Sequence, residues 1–229
     1  MYHLRGLGLV VYAAVLAAVL VAFPAVSHAD SLTFELTSDH CSGGGGCGPQ
    51  TPSFGEVVVS DNGAGQLSFH VTLSNGNTFV NTGFDLTFAY NLAGNPTVTY
   101  SGLTSGWQIP NAISGNQQAA GSYSQDGTGT FEYGVLWGQQ GGGHGTSGPL
   151  DFNISATGLT LASLEQNSDG QFFAVDILSG TTGKTGNVDA SAAVPEPSTL
   201  LLMGTALLGI GYSVRNRSFR RVKGLLAAS

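Results

Sequence analysis

The chain has 229 residues, of which 35 are glycine and only 9% are charged, and its formal charge is −7. Six of its seven lysines and arginines lie in the two terminal segments, so residues 30–194 set Lys184 alone against thirteen acids, a formal charge of −12. That balance excludes nucleic acid and phosphate-rich partners, whose binding needs several cations to neutralise phosphate. It suits a soluble surface that repels anionic polymers or is bridged to them by divalent cations.

In chain order, Arg5 comes first, followed by an almost wholly apolar run from Leu9 to Phe23. Pro24 breaks that run, and Ser27-His28-Ala29 places small residues at the two positions a signal peptidase inspects. We expect a signal helix over residues 1–29, removed by cleavage before Asp30; the alternative is an uncleaved anchor.

Residues 30–194 form a unit long enough to bury roughly 70% of its unfolded surface, and one domain is the natural count. Its apolar residues recur with period two. Leu67, Phe69, Val71 and Leu73 alternate with Ser68, His70 and Thr72, the pattern of a half-buried strand. The same alternation, with offsets, runs through Leu32-Phe34-Leu36, Val57-Val59, Phe84 to Tyr90, Val98-Tyr100, Phe131 to Trp137, Phe152-Ile154 and Phe173 to Ile177. About eight strands of ordinary length follow. Asn62-Gly63, Asn75-Gly76, Asp126-Gly127 and Asp169-Gly170 separate them with residues that adopt positive φ cheaply. With no helical stretch between strands, the expected fold is all-β, an antiparallel β-sandwich of jelly-roll or cohesin/Ig-like type. Leu159 to Glu165 reads as a single helical turn or another short strand. The Gly- and Ser-rich stretches 42–48, 101–129 and 138–148 read as loops.

Cys41 and Cys47 are the only cysteines, separated by Ser42 and four glycines that let so short a loop close. In an oxidising compartment they form a disulfide. A metal site joining them to His40 and His144 is the alternative, but the spacing fits no zinc pattern. Two G-x-G-x-x-G matches, at 43–48 and 143–148, open no helix and carry no dinucleotide-binding meaning. His70 falls on the outward face of an alternating strand. His144, flanked by glycines, and Trp107, between Gly106 and Gln108 in a polar stretch, are the candidate ligand contacts; Trp137 continues an apolar face and is expected in the core. No cofactor is required. A structural calcium would draw on Asp61-Asn62-Gly63, Asp151-Phe152-Asn153 or Asn187-Val188-Asp189, none of which completes an EF-hand.

The C-terminal segment, residues 195–229, is the most specific part of the chain. Val194-Pro195-Glu196-Pro197-Ser198-Thr199 leads into 17 uncharged residues, Ser198 to Val214. As a helix that run would be about 26 Å long, just enough to cross a bilayer. Arg215, Arg217, Arg220, Arg221 and Lys223 follow and would stay cytoplasmic, leaving residues 30–194 on the far side. Pro195 and Pro197 hold the backbone before the run extended, as suits a segment that a protease must grip.

This order of Pro-Glu-Pro, Ser-Thr, hydrophobic span and terminal arginines resembles the PEP-CTERM sorting signal of Gram-negative surface proteins. Such a tail is also called an ice-binding C-terminal region, a name that implies nothing about ice here. The resemblance implies processing by an exosortase, a membrane protease-transpeptidase. It also implies passage through the inner membrane and delivery to the cell surface or extracellular matrix. We therefore expect an exported protein that meets signal peptidase, exosortase and exopolysaccharide, with a structural or adhesive role and no catalysis. A carbohydrate-binding module and a secreted hydrolase are the alternatives.

Overall fold

The computed structural model describes residues 31–42, 46–49, 51–83 and 85–194. The signal helix expected over 1–29, the span expected over 198–214 and Phe84 lie outside the described residues. Among the described residues, no helix is long and apolar enough to cross a membrane.

Among the described residues, seventeen strands occur in chain order, many of them very short. The first eight are β1 (Ser31–Leu36), β2 (Ser38–Cys41), β3 (Gly55–Gly63), β4 (Gln66–Leu73), β5 (Thr78–Phe79), β6 (Phe88–Leu92), β7 (Val98–Ser101) and β8 (Trp107–Gln108). The rest are β9 (Gln117–Gln118), β10 (Tyr123–Gln125), β11 (Gly129–Phe131), β12 (Tyr133–Trp137), β13 (Leu150–Ser155), β14 (Leu164–Glu165), β15 (Phe173–Leu178), β16 (Thr185–Ala190) and β17 (Ala193–Val194). Single 3-10 turns cover Gly142–His144 and Leu161–Ser163.

The described residues are therefore all-β and antiparallel, as their alternation predicts. One sheet runs β17-β1-β3-β4-β13-β7-β9 and the other β2-β16-β15-β6-β12-β8, with β14 on β6 and β5 on β15. The inward face of each is the apolar half of its alternation. Val57, Val59, Leu67, Phe69, Val71, Phe152 and Ile154 come from the first sheet, and Phe88, Tyr90, Tyr133, Phe173 and Val175 from the second. Aromatic rings join the faces. Phe69 stacks on Phe152 at 4.6 Å within its own sheet and meets Tyr90 at 5.1 Å and Phe88 at 6.2 Å in the other, while Phe34 meets Phe173 edge-on at 4.8 Å. Each such ring removes 150–250 Å² or so of largely apolar surface from water, so this layer is the chief source of stability.

Polar atoms inside the layer are paired. The Tyr90 and Tyr100 hydroxyls lie 2.7 Å apart, and Tyr100 donates to Gln118 Oε1 at 2.6 Å. The Gln118 amide donates in turn to the Pro110 carbonyl at 3.1 Å. Burial pushes both tyrosine hydroxyls far above their usual range, so they stay protonated as this chain requires.

A third layer covers part of the second sheet. The β10–β11 hairpin lays Tyr123 and Phe131 against Leu86, Ala89 and Ala174 on that sheet's outer face. The small alanines leave room for the two rings. Here the chain departs from the expected eight strands: stretch 101–129, read as one loop, supplies β8, β9, β10 and the first residue of β11. The two readings of Leu159 to Glu165 both occur, the 3-10 turn running directly into β14. At all four expected turns the glycine takes positive φ, as at Gly63 (76°) and Gly127 (72°).

Finally, Thr33 pairs with Val194 and Phe34 with Ala193. The described chain thus begins and ends on neighbouring strands.

Candidate functional site

None of the sequence candidates lines the polar cleft at the β6–β14 pair. Cys41 and Cys47 are joined as a disulfide with Cα atoms 5.2 Å apart. Asp39 fixes the loop they close, its carboxylate accepting the Cys41 N–H at 2.9 Å and the Cys47 N–H at 2.8 Å, and Ser179 donates to the Cys47 carbonyl at 2.6 Å. The sulfurs being bonded to each other, no thiolate remains for the alternative metal site. His40 turns away to Asp189, its Nε2 lying 3.0 Å from Oδ2.

Trp107 differs from its expected place in an exposed loop. Strand β8 pairs with β12 in the register Trp107 with Trp137. The Trp107 ring packs edge-on to Phe79 at 5.2 Å and to Trp137 at 5.8 Å. Only 7% of the residue is exposed, so it offers no face on which a sugar could stack. Trp137, expected in the core, is half-buried instead and donates its indole N–H to the His144 carbonyl at 2.6 Å. His144 and Trp107 therefore meet one structural corner through Trp137, with His144 exposed on its 3-10 turn. His70 is half-exposed as expected, paired to Asp151 at 2.6 Å.

Two of the three oxygen-rich segments are occupied locally. Asp61 accepts the Gly63 N–H at 2.8 Å in a turn, and Asp151 is taken by His70. The third, Asn187-Val188-Asp189, lies on β16 with both polar residues fully buried.

The cleft that sequence reasoning missed has a volume of about 440 Å³. Its polar lining is Asn91, Asn95, Glu132, Glu165, Gln166 and Asn167, completed by small residues such as Gly94, Gly121 and Ser122. Strand pairing assembles it. Asn91, next to last in β6, lies opposite Glu165 of β14, and Glu132 joins β11 to β12. The Glu132 N–H donates to Asn91 Oδ1 at 2.8 Å, and the Asn95 amide, with its nitrogen turned towards the acceptors, donates to the Glu132 carboxylate at 2.7 Å. Asn167 is wholly engaged, accepting from Asp169 and Gln171 and donating to the Thr128 carbonyl at 2.7 Å. Gln166 donates to the Ser191 carbonyl at 2.8 Å, tying the cleft to the segment that leads into β17. Neighbouring Tyr133 is kept protonated by burial and secondarily by the Glu132 charge, and it donates to the Pro96 carbonyl at 2.7 Å.

Chemically this is a surface of amides, hydroxyls and two carboxylates, with neither a cation nor an aromatic ring among its lining residues. It can exchange hydrogen bonds with hydroxyl groups and share a hard cation, and it would repel phosphate. No signal short of the assembled strands could have found it, because its residues come from segments up to 77 positions apart, Asn91 to Ser168.

The sorting-motif residues Pro195 to Thr199, and Arg215, Arg217, Arg220 and Arg221, lie outside the described residues. Val194, the first of the motif, ends β17 and is 40% exposed. Neither a curated protein nor a solved structure matches the chain. Residues 193–218 match the family model of the PEP-CTERM protein-sorting motif, which begins inside β17. Through that motif, the chain is an exported protein handled at the membrane by an exosortase.

Proposed function

We propose that residues 30–194 are a non-catalytic structural or adhesive component of the cell surface or exopolysaccharide matrix. They form a β-sandwich built from the two facing sheets, and the polar cleft holds hydroxyl-rich polymer. The observation that carries this reading is a sorting motif that starts within the last strand of a strongly acidic, all-β domain. The lining of the cleft supports the polymer contact, since its amides and hydroxyls match sugar hydroxyls in both donors and acceptors. The test is retardation of the purified exported protein in gels containing polysaccharide from the producing cells. Retardation that falls in Glu132→Ala/Glu165→Ala supports the reading; migration unaffected by the polysaccharide overturns it.

A secreted hydrolase is the second reading. The specific observation in its favour is that Glu132 and Glu165 line one cleft, since glycoside hydrolysis uses two carboxyl groups across the scissile bond. Release of reducing ends from the same polysaccharide, abolished in Glu165→Gln, would establish it in place of the non-catalytic role.

A further inference from the structure

A second group of polar side chains, apart from the cleft, is enclosed between the β10–β11 hairpin and the outer face of the second sheet. Register sets its members side by side. Asn187 lies opposite His40 on β2 and opposite Asp176 on β15, and Asp189 lies opposite Ser38 and Ala174. The hairpin covers this row. Tyr123 packs over Ala89 and Ala174, and two residues further along the same strand comes the buried Gln125, next in sequence to Asp126. The turn that follows rests on β16, with the Asp126 carbonyl accepting from Asn187 Nδ2 at 3.2 Å. A Cβ on Gly127 would lie 2.5 Å from His40 Nδ1, so only glycine lets the turn approach this closely.

The enclosure leaves polar atoms unmatched. Gln125 is 2% exposed, and neither its Oε1 nor its Nε2 has a protein partner; Asn187 is fully buried and its Oδ1 has none. Asp189 is likewise fully buried, with His40 Nε2 3.0 Å from one oxygen and Ser38 also bonding to the carboxylate. Buried polar groups are nearly always satisfied, so a run of unsatisfied atoms at one place points to something that satisfies them. These atoms are mostly oxygens: an amide carbonyl from each of Gln125 and Asn187, a carboxylate, and the Asp126 carbonyl alongside. An excess of acceptors around one negative charge is what a hard cation needs, and no sulfur stands among them.

We propose that Gln125, Asn187 and Asp189, with the Asp126 carbonyl, bind a divalent cation of the calcium type that pins the β10–β11 hairpin to strand β16. The ion supplies the positive charge that a domain with Lys184 as its only lysine or arginine otherwise lacks.

The test uses the exported protein stripped with EDTA and dialysed against calcium at roughly 1 mM, the range of extracellular calcium modules. The expected result is one calcium per chain by atomic spectroscopy and a higher melting temperature. Gln125→Met, which keeps the volume and removes the oxygen, folds and binds calcium at least tenfold more weakly. Asp189→Asn weakens it further. No bound calcium and an unchanged melting temperature in the wild type overturn the proposal and leave ordered water as the partner of these atoms. Calcium bound equally well by Gln125→Met overturns it too, by placing the ion elsewhere, for example between Glu132 and Glu165.

Discussion

Asp176 makes the stability of this domain depend on pH in a direction opposite to that of most carboxylates. It sits on β15, 1% exposed, and its carboxylate accepts the Thr82 N–H at 2.8 Å and the Thr82 hydroxyl at 2.8 Å. Burial outweighs those two bonds and raises its pKa from 3.8 to about 6. Because the folded value lies above the unfolded one, the native state holds the extra proton between these limits. Its contribution is fully present below pH 3.8 and is lost as pH rises through about 6. A rise of that size corresponds to about 3 kcal/mol by pH 7. Asn is nearly isosteric and cannot ionise, so Asp176→Asn matches the wild type near pH 4 and exceeds it at pH 7 by about 3 kcal/mol. Urea unfolding followed by tryptophan fluorescence at a series of pH values reads this difference directly. Asp189, also raised by burial, titrates in both proteins and cancels in the comparison. Stability curves that run parallel from pH 4 to 7 would refute the reasoning.

Three further outcomes are expected from the packing. Phe69→Ala removes the ring that touches Phe88, Tyr90, Phe152 and Phe173 across both sheets, and should cost about 3–5 kcal/mol in denaturant unfolding. Gly134→Ala would bring a Cβ to 2.0 Å from the Phe88 carbonyl in the middle of the β6–β12 pair, so it should destabilise by more than the roughly 1–3 kcal/mol of ordinary overpacking. Replacing Cys41 and Cys47 together by serine opens a loop with a sequence separation of only 6 and should cost about 2 kcal/mol, read as a lower melting temperature with an unchanged circular dichroism spectrum.

The sequence showed the sheet strands wherever one face meets the core and the other meets water. In β4, Leu67, Phe69 and Val71 point in, and His70 points out. It failed where the outer face is also covered. Strands β2 and β16 are absent from the alternating segments because Ser38, His40, Asn187 and Asp189 lie on that outer face, with Asn187 and Asp189 wholly buried, so burial there no longer follows hydrophobicity. Trp107 was misplaced for a related reason. Its flanking glycine and glutamine look solvent-facing, but a two-residue pairing with β12 turns its ring onto Phe79. The cleft was illegible because Glu132 and Glu165 are ordinary surface acids until β6 and β14 pair and bring their loops to one end of a sheet. The sorting motif, by contrast, was legible over the matched residues 193–218, since its recognition depends on the local order of residues and not on tertiary contacts.

Intact-mass spectrometry of the protein extracted from the cell surface tests export and processing at the C-terminal motif in one step. The expected species is a chain beginning at Asp30, carrying the Cys41–Cys47 disulfide and lacking the basic residues Arg215 to Lys223. Recovery of all 229 residues from the soluble cytosol, with both thiols reduced, would contradict it.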